Sequence, residues 1–128
     1  MILVDTSVWV EHLRIGNERL KTVLLEGHVV THPFVIGELA CGNLSNRGEI
    51  LGLLAALPRV PVAEHEEVMH FLASRRLYSR ALGWVDVHLL ASALIAGCGL
   101  WTLDEALRQA VLRLKLPTWY YVDEIKSR

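Results

Sequence analysis

Four acidic residues, spread through the chain, stand beside segments that predict buried structure. Asp5 follows an apolar run at the start of the chain, and Glu38 lies among apolar residues. Asp86 and Asp104 bracket the run 87–103, which contains no charged residue. A carboxylate in apolar surroundings is unfavourable unless a hydrogen-bond donor, a base or a cation accompanies it. Each aspartate alone also fits an ordinary role as a helix cap or turn residue, so the set matters more than its members.

Such a set of residues points to the chemistry of a hard metal ion. Four carboxylates side by side cannot all stay ionised without a counter-charge, and oxygen-only ligands select magnesium or manganese. One or two such ions favour in-line attack of a metal-activated water on a phosphodiester. The hydroxyl groups of Thr6, Ser7 and Thr102 stand next to the acids and are placed to orient waters or carboxylates. This chemistry requires neither histidine nor cysteine.

The segments that must position these residues alternate between short apolar runs and helical patterns. The predicted strands are Met1–Val4, His28–Thr31, an edge strand at Val60–Val62, Leu100–Leu103 and a last strand near Thr118–Val122. The predicted helices are a short one containing Val8, Trp9 and Leu13, then about Asn17–Glu26, Pro33–Cys41, Asn46–Leu57, Glu64–Ser79, Val85–Ala96 and Asp104–Lys115. This alternation predicts an α/β fold, a mostly parallel sheet with helices on both faces. Ligands collect at the carboxyl ends of parallel strands, where Asp5 and Asp104 are expected.

Composition and charge exclude several classes of protein. The 128 residues predict one domain, residues 1–128, and 52% hydrophobic with 21% charged residues excludes a disordered chain. The formal net charge of −1 means that nucleic-acid contacts must come from a local patch. Two distant cysteines and the absence of a signal peptide favour a cytoplasmic protein. The uncharged run 87–103 is shorter than a membrane helix requires, and no membrane association is expected.

Taken together, the four acidic motifs resemble those of PIN-domain nucleases, with a close match to the VapC toxins of bacterial toxin–antitoxin pairs. The motifs are Val4-Asp5-Thr6-Ser7-Val8-Trp9, Gly37-Glu38-Leu39, Asp86-x-x-Leu89-Leu90-Ala91 and Leu100-Trp101-Thr102-Leu103-Asp104. The likeness covers the whole chain in length and motif order. It implies a three-layer α/β/α fold and a metal-dependent endoribonuclease that uses magnesium or manganese and cleaves RNA.

The resemblance also implies roles for individual residues and partners. By this likeness the metal-binding acidic pocket consists of Asp5, Glu38, Asp86 and Asp104, with Thr6, Ser7 and Thr102 as supporting polar groups. Glu105, next to Asp104, could substitute for it or share its role. Such toxins usually form homodimers and are silenced by a VapB antitoxin that blocks the pocket.

Arg75, Arg76 and Arg80 cluster near the predicted end of one helix, shortly before Asp86. They are candidates for holding RNA phosphates, which would give affinity without sequence readout. The alternative interpretation, favoured by the sequence alone, is a solvated helix end whose positive charges match the helix dipole.

Several other functions would also use this set of acidic residues. A nuclease of this fold acting in RNA maturation and a non-catalytic binding module with an acidic pocket both stay open. A phosphate-receiving signalling module would require paired acids after the first strand, and a haloacid-dehalogenase-like phosphatase would require an acid two residues after Asp5. Thr6 and Ser7 occupy those positions, which argues against both.

Overall fold

A computed structural model of the chain describes residues 1–119 and contains a small parallel sheet surrounded by helices. In chain order the elements are β1 (Ile2–Val4), α1 (Thr6–Ile15), α2 (Glu18–Leu25), β2 (Val29–Val30), α3 (Pro33–Ala40), α4 (Arg47–Ala55), α5 (His65–Ser74), α6 (Trp84–Ala96), β3 (Gly99–Trp101) and α7 (Glu105–Arg113). Within residues 1–119, no helix is long and apolar enough to cross a membrane.

The sheet places the first strand at its centre. β1 lies between β2 and β3 and is parallel to both, with Leu3 opposite Val30 on one side and Leu100 on the other. Residues Ile2, Leu3 and Val4 are fully buried, as expected for a strand covered on both faces. The connections from β1 to β2 and from β2 to β3 run in opposite directions across the sheet. Because such connections are right-handed as a rule, they are expected to cover opposite faces. The predicted α/β class is confirmed, and a topological switch point lies between β1 and β3.

The structure differs from the sequence prediction in the segment after α5. The helix predicted to reach Ser79 ends at Ser74, because a Schellman motif closes it. Arg76 N–H donates to the Ala73 carbonyl at 3.2 Å, and Leu77 N–H donates to the Leu72 carbonyl at 3.0 Å. Arg76 adopts the left-handed conformation, with φ 53°, where glycine is the usual signal. The motif turns Leu77 into the core, where it is 1% exposed.

Two predicted strands have other outcomes. Val60–Val62 is not a strand, and the residue before it, Arg59, forms an isolated bridge with Thr31. Pro58 and Pro61 flank this bridge and have no N–H to extend it. The strand predicted near 118–122 lies for the most part outside the described residues.

The helices that carry Glu38 and Asp86 are joined through contacts between rings, of which His32 and His88 are buried and Trp84 is 39% exposed. His32 precedes α3, and its Nδ1 accepts a hydrogen bond from Phe34 N–H at 3.0 Å, which caps the helix. The Phe34 ring on α3 meets the His88 ring on α6 edge-on, with centroids 4.8 Å apart. Trp84, one turn earlier on α6, packs against His88 at the same centroid distance, 4.8 Å. The rings of His32, Phe34, Trp84 and His88, called here the ring stack, therefore hold the start of α6 against the start of α3.

Burial keeps the two histidines of this stack neutral. Desolvation, with a smaller contribution from His88, lowers the pKa of His32 to about 4. Burial also lowers the pKa of His88, as does the charge of His65 on the neighbouring α5. His32 Nε2 and His88 Nδ1 are buried without a hydrogen-bond partner among the described residues, so protonating either ring would place an unpaired charge in the core.

Replacing His32 by asparagine should flatten the pH dependence of stability. The pKa of His32 is about 4 in the folded chain against an ordinary 6.5, so between these values the unfolded chain binds more protons. The wild-type protein should therefore lose up to about 3 kcal/mol of unfolding free energy as the pH falls from about 6.5 to about 4. Asparagine keeps an acceptor for Phe34 N–H but does not titrate.

Urea denaturation at a series of pH values measures this effect. His32→Asn should be less stable at neutral pH but show a shallower loss on acidification. The matched control is His70→Asn, at an exposed position on α5, which should keep the wild-type slope. A wild-type slope in His32→Asn would contradict the assignment of acid sensitivity to this ring.

Candidate active site

Asp5 is the most buried of the four acids and lies where β1 ends. Its backbone N–H donates to the Trp101 carbonyl at 2.8 Å, which continues the β1–β3 pairing by one residue. Asp5 occupies the N-cap position of α1, yet its side chain makes no capping hydrogen bond. Instead Oδ2 accepts from Ser7 Oγ at 2.7 Å and from Thr102 Oγ1 at 2.8 Å. The carboxylate is 7% exposed, and two hydroxyl donors offset its desolvation.

The same two hydroxyls bind the backbone that follows β3. Ser7 Oγ accepts from Leu103 N–H and Thr102 Oγ1 accepts from Asp104 N–H, each at 3.0 Å. The hydroxyl oxygens are 3.3 Å apart. Each hydroxyl therefore accepts from one strand end and donates to the carboxylate at the other, which holds the segments carrying Asp5 and Asp104 together.

Among the described residues, one hydrogen bond holds each of the remaining three acids. Asp86, in the first turn of α6, accepts on Oδ2 from Gly83 N–H at 2.8 Å. Asp104 caps α7, accepting on Oδ1 from Leu107 N–H at 2.9 Å. Glu38 is on α3, and its Oε1 accepts from Thr6 Oγ1 at 2.7 Å. The ordinary capping roles of Asp86 and Asp104 are thus present, but each uses only one oxygen.

All four carboxylates consequently have the same arrangement. One oxygen is fixed by a backbone N–H or a hydroxyl, and the second has no hydrogen-bond partner within residues 1–119. Fixing one oxygen orients the carboxylate, and the second oxygen stays available to an external ligand. The sequence indicated Thr6, Ser7 and Thr102 as supporting groups, and the structure places their hydroxyls on Glu38 and Asp5.

The electrostatics of Asp86 show that the four acids share one region. Burial raises the pKa of the Asp86 carboxyl, and the Gly83 N–H acts in the opposite direction. The charges of Asp5, Asp104 and Glu38 raise that pKa further, in decreasing order. Asp86 therefore feels all three other acids, although they come from distant parts of the chain.

The donor set suits a hard cation, although the acids do not converge fully. Within the described part of the chain, no three acidic, histidine or cysteine side chains lie close enough together to hold a metal ion. Asp5 is buried and Asp86 half-buried, whereas Glu38 and Asp104 are exposed. Free carboxylate oxygens, without nitrogen or sulfur among them, are the ligands that magnesium and manganese prefer.

The other residues considered from the sequence lie outside this group. Glu105 Oε1 accepts from Gln109 Nε2 at 2.7 Å, an exposed pair along α7. The imidazole of His88 packs in the ring stack, as expected from its position two residues after Asp86. Arg76 and Arg80 are exposed on the segment between α5 and α6. Sequence reasoning missed Gly83, whose N–H orients Asp86; its signal was an acid three residues after a helix start.

A groove borders the acidic group on the side of Glu38. It lies between α1, α3 and α4 and has a volume of about 630 Å³. Its walls combine apolar side chains, an exposed arginine and amide groups, and they include Val10, Leu13, Arg14, Glu38, Leu39, Asn43, Asn46 and Ile50. A partner bound here would contact Glu38 directly.

Comparison of the sequence with known proteins gives a family and a similar relative. The PIN domain family model matches residues 2–111, which include all four acids. Ribonuclease VapC32 of Mycobacterium tuberculosis, from strains CDC 1551 and H37Rv, is 50% identical over 111 residues. The match covers 86% of this chain and 90% of the relative.

Removing the Thr102 hydroxyl should destabilise the fold. Thr102→Val keeps the side-chain shape but leaves the buried Asp5 with one donor fewer and the Asp104 N–H without its acceptor. The expected loss is about 1–3 kcal/mol of unfolding free energy. Thr102→Ser retains the hydroxyl and should recover most of that loss. Chemical denaturation measures both, and equal stability of the Val and Ser variants would contradict the proposed hydroxyl link.

Proposed function

The chain belongs to the PIN-domain family, in its VapC ribonuclease branch, and on this premise we propose that it is the toxin of a VapBC-type pair, a magnesium- or manganese-dependent endoribonuclease. Asp5, Glu38, Asp86 and Asp104 are proposed to hold the metal, and RNA is the proposed substrate. The proposal includes a single domain over residues 1–128 and a cytoplasmic location.

The observation that carries this proposal is the shared arrangement of the four carboxylates. Each has one oxygen fixed and one oxygen free, at the switch point where parallel sheets bind ligands. The charges of Asp5, Asp104 and Glu38 also raise the pKa of Asp86, which indicates that the four acids share one region. A purely structural cluster would also be expected to pair its acids with cations. The described residues contain no lysine or arginine ion pair with any of these four.

The four acids differ in burial, and the proposed role of each follows from that difference. Asp5, held by two hydroxyls, and Asp86, held by a backbone N–H, are the oriented ligands of the proposed site. Glu38 and Asp104 are exposed and can rotate about their fixed oxygens to complete it. A magnesium or manganese ion held by these carboxylates would supply an activated water and would polarise the phosphodiester. Thr6, Ser7 and Thr102 act by orienting carboxylates.

The proposed partners follow from the surface around the acids. A VapB-type antitoxin would silence the enzyme by covering the pocket, and the groove beside Glu38 offers it apolar walls continuous with the site. A homodimer is also proposed, and exposed apolar side chains such as Ile15 and Leu25, 81% and 80% exposed, offer surface for association.

Cleavage of RNA should depend on both metal and Asp86. A mixed pool of structured RNAs should be cut in the presence of magnesium or manganese, and EDTA should stop the reaction. Asp86→Asn should lower the rate by at least about 100-fold, because it removes a charged ligand. Asparagine still accepts from Gly83 N–H, so circular dichroism and thermal unfolding should show an intact fold.

Metal binding gives a readout besides activity. Calorimetric titration with Mn²⁺ should detect binding by the wild type and a clear loss of affinity in Asp86→Asn. Folded wild-type protein that binds Mn²⁺ but cuts none of the RNAs would favour the non-catalytic binding module. Cutting at the wild-type rate by Asp86→Asn would exclude this acid from the mechanism.

Asp104 and its neighbour Glu105, at the start of α7, allow a matched test of whether Asp104 is a metal ligand. Asp104→Asn keeps the helix cap, since asparagine is among the best N-cap residues, but removes the charge. It should weaken Mn²⁺ binding by about tenfold or more. Glu105→Gln removes a charge one residue away, from a side chain paired with Gln109, and should leave the affinity unchanged. The reverse result would transfer the role to Glu105.

A further inference from the structure

Arg75, Arg76 and Arg80 form an exposed basic segment, residues 75–80, called here the arginine segment. No acidic residue occurs between Glu67 and Asp86, so the segment is locally positive in a chain whose net charge is −1. Within residues 1–119, none of the three guanidinium groups forms an ion pair. The side chains are thus free to meet an anion from outside.

The end of α5 at Ser74 weakens the helix-dipole explanation for these charges. A helix dipole acts only over the last turn. Arg75 occupies the C-cap and fits that role, but Arg76 and Arg80 lie beyond the helix. Arg76 also sits at the left-handed position of the Schellman motif, where glycine would be conformationally preferred. Neither helix termination nor the dipole accounts for arginine at these two positions.

The backbone of the segment presents its polar and aromatic side chains outward together. Leu77 is 1% exposed and anchors the segment to the core, whereas Tyr78 next to it is 57% exposed. Arg80 Nε donates to the Arg76 carbonyl at 2.8 Å, which joins the two ends of the turn. Ser79 is left-handed, with φ 58°, and helps to reverse the chain. Two arginines and a tyrosine are therefore held on one short, closed turn.

This turn leads directly into the acidic site. Arg80 is followed three residues later by Gly83, whose N–H holds Asp86, and three residues span at most about 10 Å. The four acids repel the phosphates of an approaching RNA, and the net charge of −1 provides no overall attraction. Binding a polyanion beside such a pocket requires nearby unpaired cations.

We propose that the arginine segment is the RNA-backbone contact for the strand that enters the acidic pocket. Arg76 and Arg80 neutralise phosphates beside the cleaved bond, and Tyr78 stacks on a base between them. This inference rests on the proposed function, since it assumes that RNA is the substrate. The contacts to phosphate and to a base face give affinity with little sequence preference.

Salt dependence of RNA binding tests the proposal. The parent is Asp86→Asn, which should bind without cutting, and the probe is a fluorescein-labelled, mixed-sequence single-stranded RNA at fixed magnesium concentration. Adding Arg76→Gln and Arg80→Gln should weaken binding by about tenfold or more at low salt, where phosphate contacts dominate. The slope of log K against log KCl concentration is negative, and the two substitutions should reduce its magnitude by about 0.7 for each lost contact.

A double variant of equal charge change provides the control. Arg59→Gln with Arg113→Gln removes two exposed arginines elsewhere and should leave the slope of the parent unchanged. Tyr78→Ala should lower the affinity several-fold with the parent's salt slope, and Tyr78→Phe should restore it. Circular dichroism establishes that each variant is folded.

The outcomes separate this inference from the function it rests on. If the wild type cuts RNA but the Arg76/Arg80 double variant and the control double variant have the same affinity and slope, the arginine segment is not the contact. If neither cutting by the wild type nor binding by the parent is found, the ribonuclease proposal fails, and the inference fails with it.

Discussion

Mutual repulsion of carboxylates is the constraint on which the acidic edge of this fold depends. Three acids from distant parts of the chain, Asp5, Asp104 and Glu38, raise the pKa of Asp86 together, so their approach is opposed by charge as well as by desolvation. Hydrogen-bond donors offset this repulsion. Backbone N–H groups at helix N-termini hold Asp86 and Asp104, and hydroxyl groups hold Asp5 and Glu38. In the part of the chain that the structure describes, each of these donors fixes one oxygen of its carboxylate. The same hydrogen bonds thus stabilise the fold and leave ligand oxygens free.

The sheet topology determines which segments meet at this edge. With β1 between β2 and β3, the residues after β1 and after β3 come side by side, and the Ser7 and Thr102 hydroxyls join them to one carboxylate. The two acids on helices after β2 and before β3 need another connection, which the ring stack supplies. Phe34 and His88 pack α3 against α6, so core packing, rather than hydrogen bonding, relates Glu38 to Asp86.

The sequence predicted the parts of the fold that depend on local pattern. The α/β class, the strands that end near Asp5 and Asp104 and the approximate helices followed from apolar runs and turn residues. The predicted end of α5 was wrong because arginine at the left-handed position of a Schellman motif contradicts residue preference. Two backbone hydrogen bonds and the burial of Leu77 stabilise this end, and neither has a local sequence signal. The ring stack was not predicted either. Histidines in apolar segments carry no pattern that distinguishes a buried packing role from an exposed one, and only the approach of α3 to α6 decides it.

Burial of the acids varies across the site in a way that bears on the proposed chemistry. Asp5 is buried and accepts two hydrogen bonds, Asp86 is half-buried, and Glu38 and Asp104 are exposed. A hard divalent cation held by these acids would need some ligands in fixed positions and would leave room for water and a substrate phosphate. A rigid inner carboxylate with adjustable outer ones meets both needs. Four equally buried acids would leave a substrate phosphate no place to enter, so on the proposed function the exposure of Glu38 and Asp104 serves substrate access.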